Sequence, residues 1–313
     1  MPHSQTSRTN SEQLRNGGLR CLVLGVFGSG MTAAAELLLD AQHTVFGIDE
    51  RLKDAAPMSA VNGVRVLSPD GEFPPDLDIC VASPAFDLSH PLIEQLVEAD
   101  VEVIRLPEFL ARVFYGHRQI CVAGTHGKST TAAMIAWILD DAGLKPSCFV
   151  GARQSNLQCS GRFTDSNIAV IESCEFDNSF HHLAPEVAVL TGIERDHFDC
   201  FSDEATEDAA FRRFMAAVPN SGYFVVNADC SRSCKLVSEF QTPLSKFTMH
   251  NPNGKLESVH ISDVSQNGLE TRCVVHESSQ AFELRLHALC RCIRVPVLSG
   301  EARIQRPPGA PYA

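Results

Sequence analysis

The sequence lacks the features that mark a membrane protein or a disulfide-rich secreted protein. No apolar run reaches the roughly 20 residues that a membrane span needs, and the polar N-terminus has no signal-peptide core. Twelve cysteines are present, but none form a Cys-x-x-Cys pair, and several, including Cys21 and Cys121, lie within apolar runs. We therefore expect reduced, buried thiols in a cytoplasmic protein.

Positive charge is also scarce. The 313 residues include 26 Lys and Arg against 38 Asp and Glu, which gives a net charge of −12. Nucleic acids and anionic membranes would be repelled by this balance, so we expect neither as a partner. A small anion in a local positive pocket is still compatible with it. The length predicts two domains at roughly 150 residues each.

Strand and helix patterns alternate from residue 19 onward. This alternation predicts an α/β fold with parallel sheets covered by helices on both faces. The helix at 129–142 has apolar residues on several faces, so we expect it to be buried on most sides. The other predicted helices cover 31–40, 91–99 and 204–218. The predicted strands cover 20–25, 44–49, 78–82, 101–106, 119–123, 167–172, 187–191 and 223–227.

The pattern changes near residue 259. Three short runs, at 259–264, 271–276 and 281–286, are separated by turn residues and predict a small antiparallel sheet. The last stretch, 287–313, has no clear period and is basic and Pro-rich. It therefore differs in composition from the acidic chain before it.

The strongest chemical signal is the glycine-rich loop after the 119–123 strand. Backbone N–H groups in such a turn, with the following helix N-terminus, form a cradle for phosphate. Lys128 would reach the terminal phosphates of a nucleotide such as ATP, and the Ser129 hydroxyl would ligate Mg²⁺. Val122 stands where the usual pattern has its first glycine. The predicted binding residues are Gly124, Thr125, His126, Gly127, Lys128, Ser129 and Thr130.

A second glycine-rich turn contains Gly25, Gly28 and Gly30, between a predicted strand and a predicted helix. Asp49 ends the next strand, where an acid could bind a ribose hydroxyl. The glycine order differs from the usual G-x-G-x-x-G. The turn is therefore either a tight strand-to-helix connection or a binding site for the diphosphate of a nucleotide.

Two polar segments also follow predicted strands. Glu172 lies in the acidic stretch 171–177, which is either a solvated loop or a source of an Mg²⁺ ligand. His197 lies between Asp196 and Asp199, and is a candidate metal ligand or phosphate contact. The carboxyl ends of strands in an open α/β sheet face the ligand crevice, which favours the functional interpretation of both.

These segments, in this order, resemble the Mur ligase family, the ATP-dependent amide-forming enzymes of peptidoglycan synthesis. The resemblance is carried by Ala-Gly-Thr-His-Gly-Lys-Ser-Thr-Thr at 123–131 and by Asp196-His197-x-Asp199. Ala82-Ser83-Pro84 narrows it further and adds Ser83 to the binding residues. The resemblance covers about residues 20–286.

The polar N-terminus at 1–18 predicts a disordered arm. The resemblance implies a Rossmann-like domain at 19–115 that binds a UDP-sugar through the Gly25–Gly30 turn. A P-loop central domain at 116–286 would bind ATP and include the small antiparallel sheet. Lys128, Glu172 and His197 would be catalytic. Ser129 and Glu172 would hold one Mg²⁺, and His197 a second.

Among family members, the chain looks most like the enzyme that joins L-alanine to UDP-N-acetylmuramate through an acyl phosphate. One alternative is the relative that joins a preformed tripeptide to the same sugar nucleotide in peptidoglycan recycling. Another is a truncated, non-catalytic protein that binds nucleotide and UDP-sugar. An NAD-dependent oxidoreductase would leave the 124–131 loop unexplained.

The sequence departs from the family in two places. Gly192 stands where the family has Asn beside Thr191, so any polar contact from that side chain is lost. Residues 287–313 match neither the family's Pro-Gly-Arg-His-Asn stretch nor its third α/β domain. We therefore expect an aberrant tail from truncation or a frameshift, an absent third ligase domain, and weak or no ligation by this chain alone.

Overall fold

The computed structural model describes most of the chain, which forms two compact units. The described residues are 9–50, 62–87, 89–194, 201, 203–248, 259–267, 270–277, 280–287 and 301–303. The first unit comprises Met1–His117, Leu144–Ala152 and Cys159–Ala169. The second unit comprises Arg118–Gly143, Arg153–Gln158 and Val170–Ala313.

Helices and strands alternate as the sequence predicts, which confirms the α/β fold class. Up to residue 123 the elements are α1 Gln13–Asn16, β1 Arg20–Leu24, α2 Ser29–Asp40, β2 Thr44–Ile48, β3 Arg65–Val66, β4 Ile79–Ala82, α3 Pro91–Glu98, β5 Glu102–Arg105, α4 Leu106–Val113 and β6 Arg118–Ala123. From residue 128 they are α5 Lys128–Asp141, β7 Ser147–Phe149, β8 Gly161–Arg162, β9 Ile168–Glu172, a 3₁₀ helix Phe176–His182, β10 Pro185–Leu190, α6 Glu204–Ala216, β11 Tyr223–Asn227, α7 Ser231–Val237, β12 Leu244–Thr248, β13 Val259–Asn267, β14 Glu270–Glu277, β15 Gln280–His287 and β16 Glu301–Arg303.

The first unit is built on a five-stranded parallel sheet in the order β3-β2-β1-β4-β5. Strand β1 is central, and Leu22 pairs with Phe46 of β2 and with Cys80 of β4. Its last four residues are fully buried, which is why the sequence shows a continuous apolar run rather than an alternating one. A parallel sheet of this kind places its ligand-facing loops beyond the carboxyl ends of its strands.

A short antiparallel hairpin, β7–β8, also belongs to the first unit. The Glu36 carboxylate of α2 accepts hydrogen bonds from the backbone N–H groups of Ser160, at 2.6 Å, and Gly161, at 2.7 Å. A Cβ added to Gly161 would overlap the backbone of Ala33. Only glycine therefore lets this hairpin lie against α2.

The polar N-terminal segment differs from the disordered arm that the sequence predicts, in the part that is described. Residues 13–16 form α1, and Leu14 is fully buried. The Thr9 N–H group donates to Glu102 at 2.7 Å, and Arg15 donates to the Tyr115 carbonyl at 3.1 Å. One buried leucine and these long-range hydrogen bonds, which composition does not reveal, tie the segment to the first unit.

The sheet of the second unit has the order β16-β15-β14-β13-β12-β11-β10-β6-β9. Strands β6, β10, β11 and β12 run parallel, and Leu190 at the end of β10 pairs with Ala123 at the end of β6. The segments that follow β6, β10 and β11 therefore emerge at one edge of the sheet. The segment after β9 lies there too, because the Ser173 N–H donates to the Val122 carbonyl near the end of β6 at 2.9 Å. These segments include the loop and the acidic stretch singled out in the sequence.

Strands β13, β14 and β15 form the predicted small antiparallel sheet, joined to the parallel part through β12. Within the tail at 287–313, the described residues 301–303 form β16, which pairs antiparallel with β15. Among the described residues, no helix has the length and apolar character to cross a membrane.

Phenylalanines fix the segment after β9. Phe180 of the 3₁₀ helix stacks on Phe214 of α6 with ring centroids 4.8 Å apart, and meets Phe211 edge-on at 5.4 Å. All three side chains are buried. Aromatic pairs of this kind add stability beyond the apolar area that they bury. Residues 172–175, which belong to the acidic stretch 171–177, are thus anchored at their carboxyl end by a packed aromatic cluster.

Candidate functional site

The glycine-rich loop of the second unit has the backbone of a phosphate-binding turn. Gly127 has φ +80° and precedes α5, and nothing lies within 4 Å of a Cβ built on it. The first hydrogen bond of α5 runs from the Thr131 N–H to the Gly127 carbonyl at 3.0 Å, and no side chain caps the helix. As at any helix N-terminus, the N–H groups of the residues before Thr131 lie outside the hydrogen-bond pattern of the helix. Together with the helix dipole, they suit an anion.

Gly124 is required for a different reason, because the loop passes against the backbone that follows β10. Its φ is +132°, and a Cβ there would lie 2.7 Å from the Gly192 oxygen and 3.0 Å from the Gly192 nitrogen. The Thr125 N–H donates to the same Gly192 oxygen at 2.8 Å. The two segments therefore touch backbone to backbone.

Lys128 folds back over the loop from the first turn of α5. Its ammonium donates to the Gly124 carbonyl at 2.7 Å, the Thr125 carbonyl at 3.1 Å and the Glu175 carboxylate at 3.1 Å. The side chain is 12% exposed, and that of Glu175 is 1% exposed. A buried positive charge is thus fixed at the mouth of the phosphate-binding turn.

Ser129 and Glu172 are brought together as the sequence suggests. The Ser129 hydroxyl donates to Glu172 Oε1 at 2.8 Å, across 43 residues of sequence. A hydroxyl and a carboxylate are hard oxygen ligands, and Mg²⁺ usually takes one or two of these with waters and substrate phosphates. The pair therefore fits an Mg²⁺ ion that accompanies a triphosphate. The described residues hold no cluster of three or more His, Cys, Asp or Glu side chains that could bind a metal alone.

Hydroxyl groups tie the loop to the segment after β10. Thr191 Oγ1 donates to the His126 carbonyl at 2.6 Å. Thr125 Oγ1 both accepts from the Glu194 N–H at 2.8 Å and donates to the Glu194 carbonyl at 2.9 Å. Asn227, at the end of β11, donates to the Thr191 carbonyl at 2.9 Å. The ends of β6, β10 and β11 thus form one hydrogen-bonded frame.

His197, with Asp196 and Asp199, lies outside the described residues. Its predicted role as a metal ligand therefore stays a prediction. The described chain leads up to it as far as Glu194, which the Thr125 hydroxyl holds in place.

The glycine-rich turn of the first unit is held by Asp49, whose carboxylate accepts from the Phe27 N–H at 2.9 Å and is 3% exposed. Of the three glycines, only Gly25 has a positive φ, at +82°. A Cβ on Gly25 would lie 3.0 Å from the Ser83 Cβ, whereas one on Gly30 would lie 3.1 Å from Leu106. The turn and Ser83 therefore adjoin, and Gly30 serves the packing of α2 beside α4.

Two contributors to the second unit's site were not singled out from the sequence. Glu175 was noted within the acidic stretch 171–177 but given no role, and Asn227 was noted only as the end of a strand. A signal for Glu175 exists in its position three residues after Glu172, but its partner Lys128 is 47 residues away in sequence. The contact depends on the sheet order and cannot be read from spacing.

Comparison with known proteins shows the family. The model of the Mur ligase middle domain matches residues 122–291. The UDP-N-acetylmuramate–L-alanine ligase of Clostridium novyi (strain NT) is 28% identical over 276 residues, which are 88% of this chain and 59% of that protein. The enzyme of the same name from Rubrobacter xylanophilus is 33% identical over 226 residues, 72% of this chain and 51% of that protein.

Solved structures share the fold. The UDP-N-acetylmuramate:L-alanyl-gamma-D-glutamyl-meso-diaminopimelate ligase from Neisseria meningitides aligns with a TM-score of 0.71 at 24% identity, over 88% of this chain and 90% of that one. The UDP-N-acetylmuramate-alanine ligase from Thermotoga maritima aligns with a TM-score of 0.70 at 18% identity, over 87% and 61%. The chain spans 51–59% of the length of the two curated relatives. The phosphate-binding turn and the fold agree with the family model that matches residues 122–291. This chain therefore belongs to the Mur ligase family.

Proposed function

We propose that the protein takes part in ATP-dependent ligation of L-alanine to the carboxylate of UDP-N-acetylmuramate, in cytoplasmic peptidoglycan precursor synthesis. The observation that carries the proposal is the meeting of Lys128, Ser129 and Glu172 at the phosphate-binding turn. Mur ligases are ATP-dependent enzymes that form amide bonds. The choice of L-alanine is supported by the names of the curated relatives at 28–33% identity.

The chemistry requires an activated acid, because a carboxylate is a poor electrophile toward an amine. A carboxylate oxygen attacks the γ-phosphorus of ATP, ADP departs, and an acyl phosphate forms. The amine then attacks the acyl carbon, and inorganic phosphate leaves. The obstacle is charge, since two like charges about 4 Å apart repel by roughly 4 kcal/mol at an effective dielectric near 20.

In the second unit, each described group has a part in lowering that barrier. Backbone N–H groups of the 124–130 loop bind the phosphates, and the Lys128 ammonium neutralises charge on the terminal ones. Ser129 and Glu172 would hold one Mg²⁺, and His197 a second. The metal ions would supply charge neutralisation and alignment of the transferred phosphoryl group.

In the first unit, the turn at Gly25, Gly28 and Gly30 would bind the diphosphate of the UDP-sugar. Asp49 keeps that turn in shape through the Phe27 N–H, and Ser83 lies beside it. Backbone N–H groups at a strand-to-helix turn are well suited to a diphosphate. Loss of the Asp49 carboxylate should therefore weaken UDP-sugar binding through the turn.

The test measures product by mass spectrometry after incubation with ATP, Mg²⁺, UDP-N-acetylmuramate and one acceptor at a time. L-Alanine, glycine, L-serine and the L-Ala–γ-D-Glu–diaminopimelate tripeptide are compared. More product with L-alanine than with any other acceptor supports the proposal. A preference for the tripeptide would replace it with peptide ligation. MgATP binding without product from any acceptor would indicate a nucleotide-binding role for this chain.

A further inference from the structure

All three donors of the Lys128 ammonium are already in use. A lysine ammonium has three N–H groups and no acceptor, and three oxygens lie within 3.1 Å of Nζ. Two of these are neutral carbonyls of the loop, at Gly124 and Thr125. The third is the carboxylate oxygen of Glu175, whose side chain is 1% exposed. A phosphate oxygen can therefore bond to this ammonium only by displacing one of the three.

We propose that Glu175 is an internal counter-ion that competes with the nucleotide's phosphates for Lys128. This inference rests on the proposed ATP site of the second unit. Of the three acceptors, only the carboxylate is an anion, as a phosphate is, so both claim the same charge-assisted hydrogen bond. Glu175 acts on the nucleotide through Lys128 and is a positioning residue. It holds the ammonium over the loop until the triphosphate takes its place.

The position of Glu175 is fixed by its backbone, not by the lysine. The Ser173 N–H donates to the Val122 carbonyl at 2.9 Å, the Phe180 N–H to the Cys174 carbonyl at 3.0 Å, and the Asn178 N–H to the Glu175 carbonyl at 3.0 Å. These bonds do not involve the Glu175 carboxylate. The segment should therefore keep its shape when that carboxylate is neutralised.

Replacement of the carboxylate by an amide removes the competing charge and keeps the size of the side chain. Hydrogen bonds to charged groups are stronger than neutral ones by about 1–1.5 kcal/mol, so Glu175→Gln should tighten MgATP binding roughly tenfold. If Glu175 had a merely structural role, its replacement would weaken MgATP binding. The direction of the change therefore separates the two roles.

The experiment is isothermal titration calorimetry of MgATP with the wild-type chain, Glu175→Gln, Lys128→Met and the double variant. The expected Kd of Glu175→Gln is roughly tenfold lower than that of the wild type. In the Lys128→Met background the same substitution should change Kd less than about twofold, because the contested ammonium is gone. Glu186→Gln, which removes one negative charge from the start of β10, should leave Kd unchanged.

Three results would overturn the inference. The first is unchanged or weaker MgATP binding by Glu175→Gln. The second is equal tightening by this substitution with Lys128 and with Met at position 128, which would indicate a general electrostatic effect of the lost charge. The third is tightening of the same size by Glu186→Gln. If Glu175→Gln does not fold, Glu175→Asp replaces it: a withdrawn carboxylate should tighten binding several-fold, and no tightening would refute the competition. Absence of MgATP binding by the folded wild type would instead refute the proposed nucleotide site, and this inference with it.

Discussion

Thr125 and Glu194 are joined by two hydrogen bonds that share one hydroxyl group. Thr125 Oγ1 accepts from the Glu194 N–H at 2.8 Å and donates to the Glu194 carbonyl at 2.9 Å. Thr125 is 6% exposed, so water has little access to replace these bonds. The phosphate-binding turn and the chain leading to His197 therefore depend on one another for their positions.

Thr125→Val removes that hydroxyl while keeping the shape of the side chain. The two hydrogen bonds to the Glu194 backbone would be lost, and at about 0.5–1.5 kcal/mol each this should lower the free energy of unfolding by about 1–3 kcal/mol. Urea denaturation measures this loss. Thr125→Ser keeps the hydroxyl and should recover most of it, whereas equal losses in the two variants would mean that the hydroxyl is not what matters.

The two loop glycines should respond differently to alanine. At Gly127, where a Cβ meets nothing, only the left-handed backbone is strained, and Gly127→Ala should cost about 1–2 kcal/mol. At Gly124 the Cβ would also press on Gly192, which adds about 1–3 kcal/mol of overpacking. Unfolding free energies should therefore rank wild type, Gly127→Ala and Gly124→Ala in descending order. A Gly124→Ala variant as stable as Gly127→Ala would contradict the backbone contact.

Ser129→Ala should raise the Mg²⁺ concentration needed for half-maximal ATP binding. Loss of one oxygen ligand and of its bond to Glu172 should weaken the metal-dependent part of binding roughly tenfold. The measurement is ATP titration at a series of Mg²⁺ concentrations. Ser129→Thr retains the hydroxyl and is the control. An unchanged Mg²⁺ requirement in Ser129→Ala would remove this hydroxyl from the metal site.

Sequence patterns predicted the central parallel strands because these are buried on both faces. Runs such as 21–24 and 168–171 are apolar throughout, and no surface helix produces that pattern. The hairpin β7–β8 was missed because its strands have three and two residues and depend on a glycine that meets Ala33. Pairings of this kind are set by tertiary contact.

The burial of α5 was wrongly predicted. Its apolar composition suggested contacts on most sides, but only Ala132 and Ala136 are buried, and Ile138 is 39% exposed. Composition shows which faces can be buried, and the number of neighbouring elements decides which of them are. The chemistry of the phosphate loop was accessible from sequence because it is local. The ion pair of Lys128 with Glu175 was not, because 47 residues separate the partners.

His43 should make the stability of the first unit depend on pH. Its Nδ1 accepts from the Leu19 N–H at 3.1 Å and its Nε2 lies 2.9 Å from the Leu14 carbonyl, an arrangement that suits the neutral ring. Burial lowers the pKa of His43, although the Leu14 carbonyl and Asp78 oppose this. The unfolded chain therefore binds a proton near pH 6.5 that the folded chain resists.

The stability from this histidine is present above pH about 6.5 and is lost as the pH falls toward the lower folded pKa. His43→Gln keeps one donor and one acceptor but does not titrate, so its melting temperature should fall less between pH 7 and pH 5. Burial also lowers the pKa of His117 and His181, which remain in the variant. The dependence should therefore shrink and not vanish. Identical pH profiles would exclude a contribution from His43.

The central claim is that the turn at 124–130 binds a magnesium triphosphate with the help of the Lys128 ammonium. The most direct test is calorimetric titration with ATP, first in the presence of Mg²⁺ and then with EDTA in place of Mg²⁺. The wild-type chain and Lys128→Met are compared. We predict binding that requires Mg²⁺ and is weakened roughly tenfold to hundredfold in the variant, the size expected for a lost bond to a charged group. Folded wild-type protein with no affinity for ATP, or a variant that binds as tightly as the wild type, would contradict the claim.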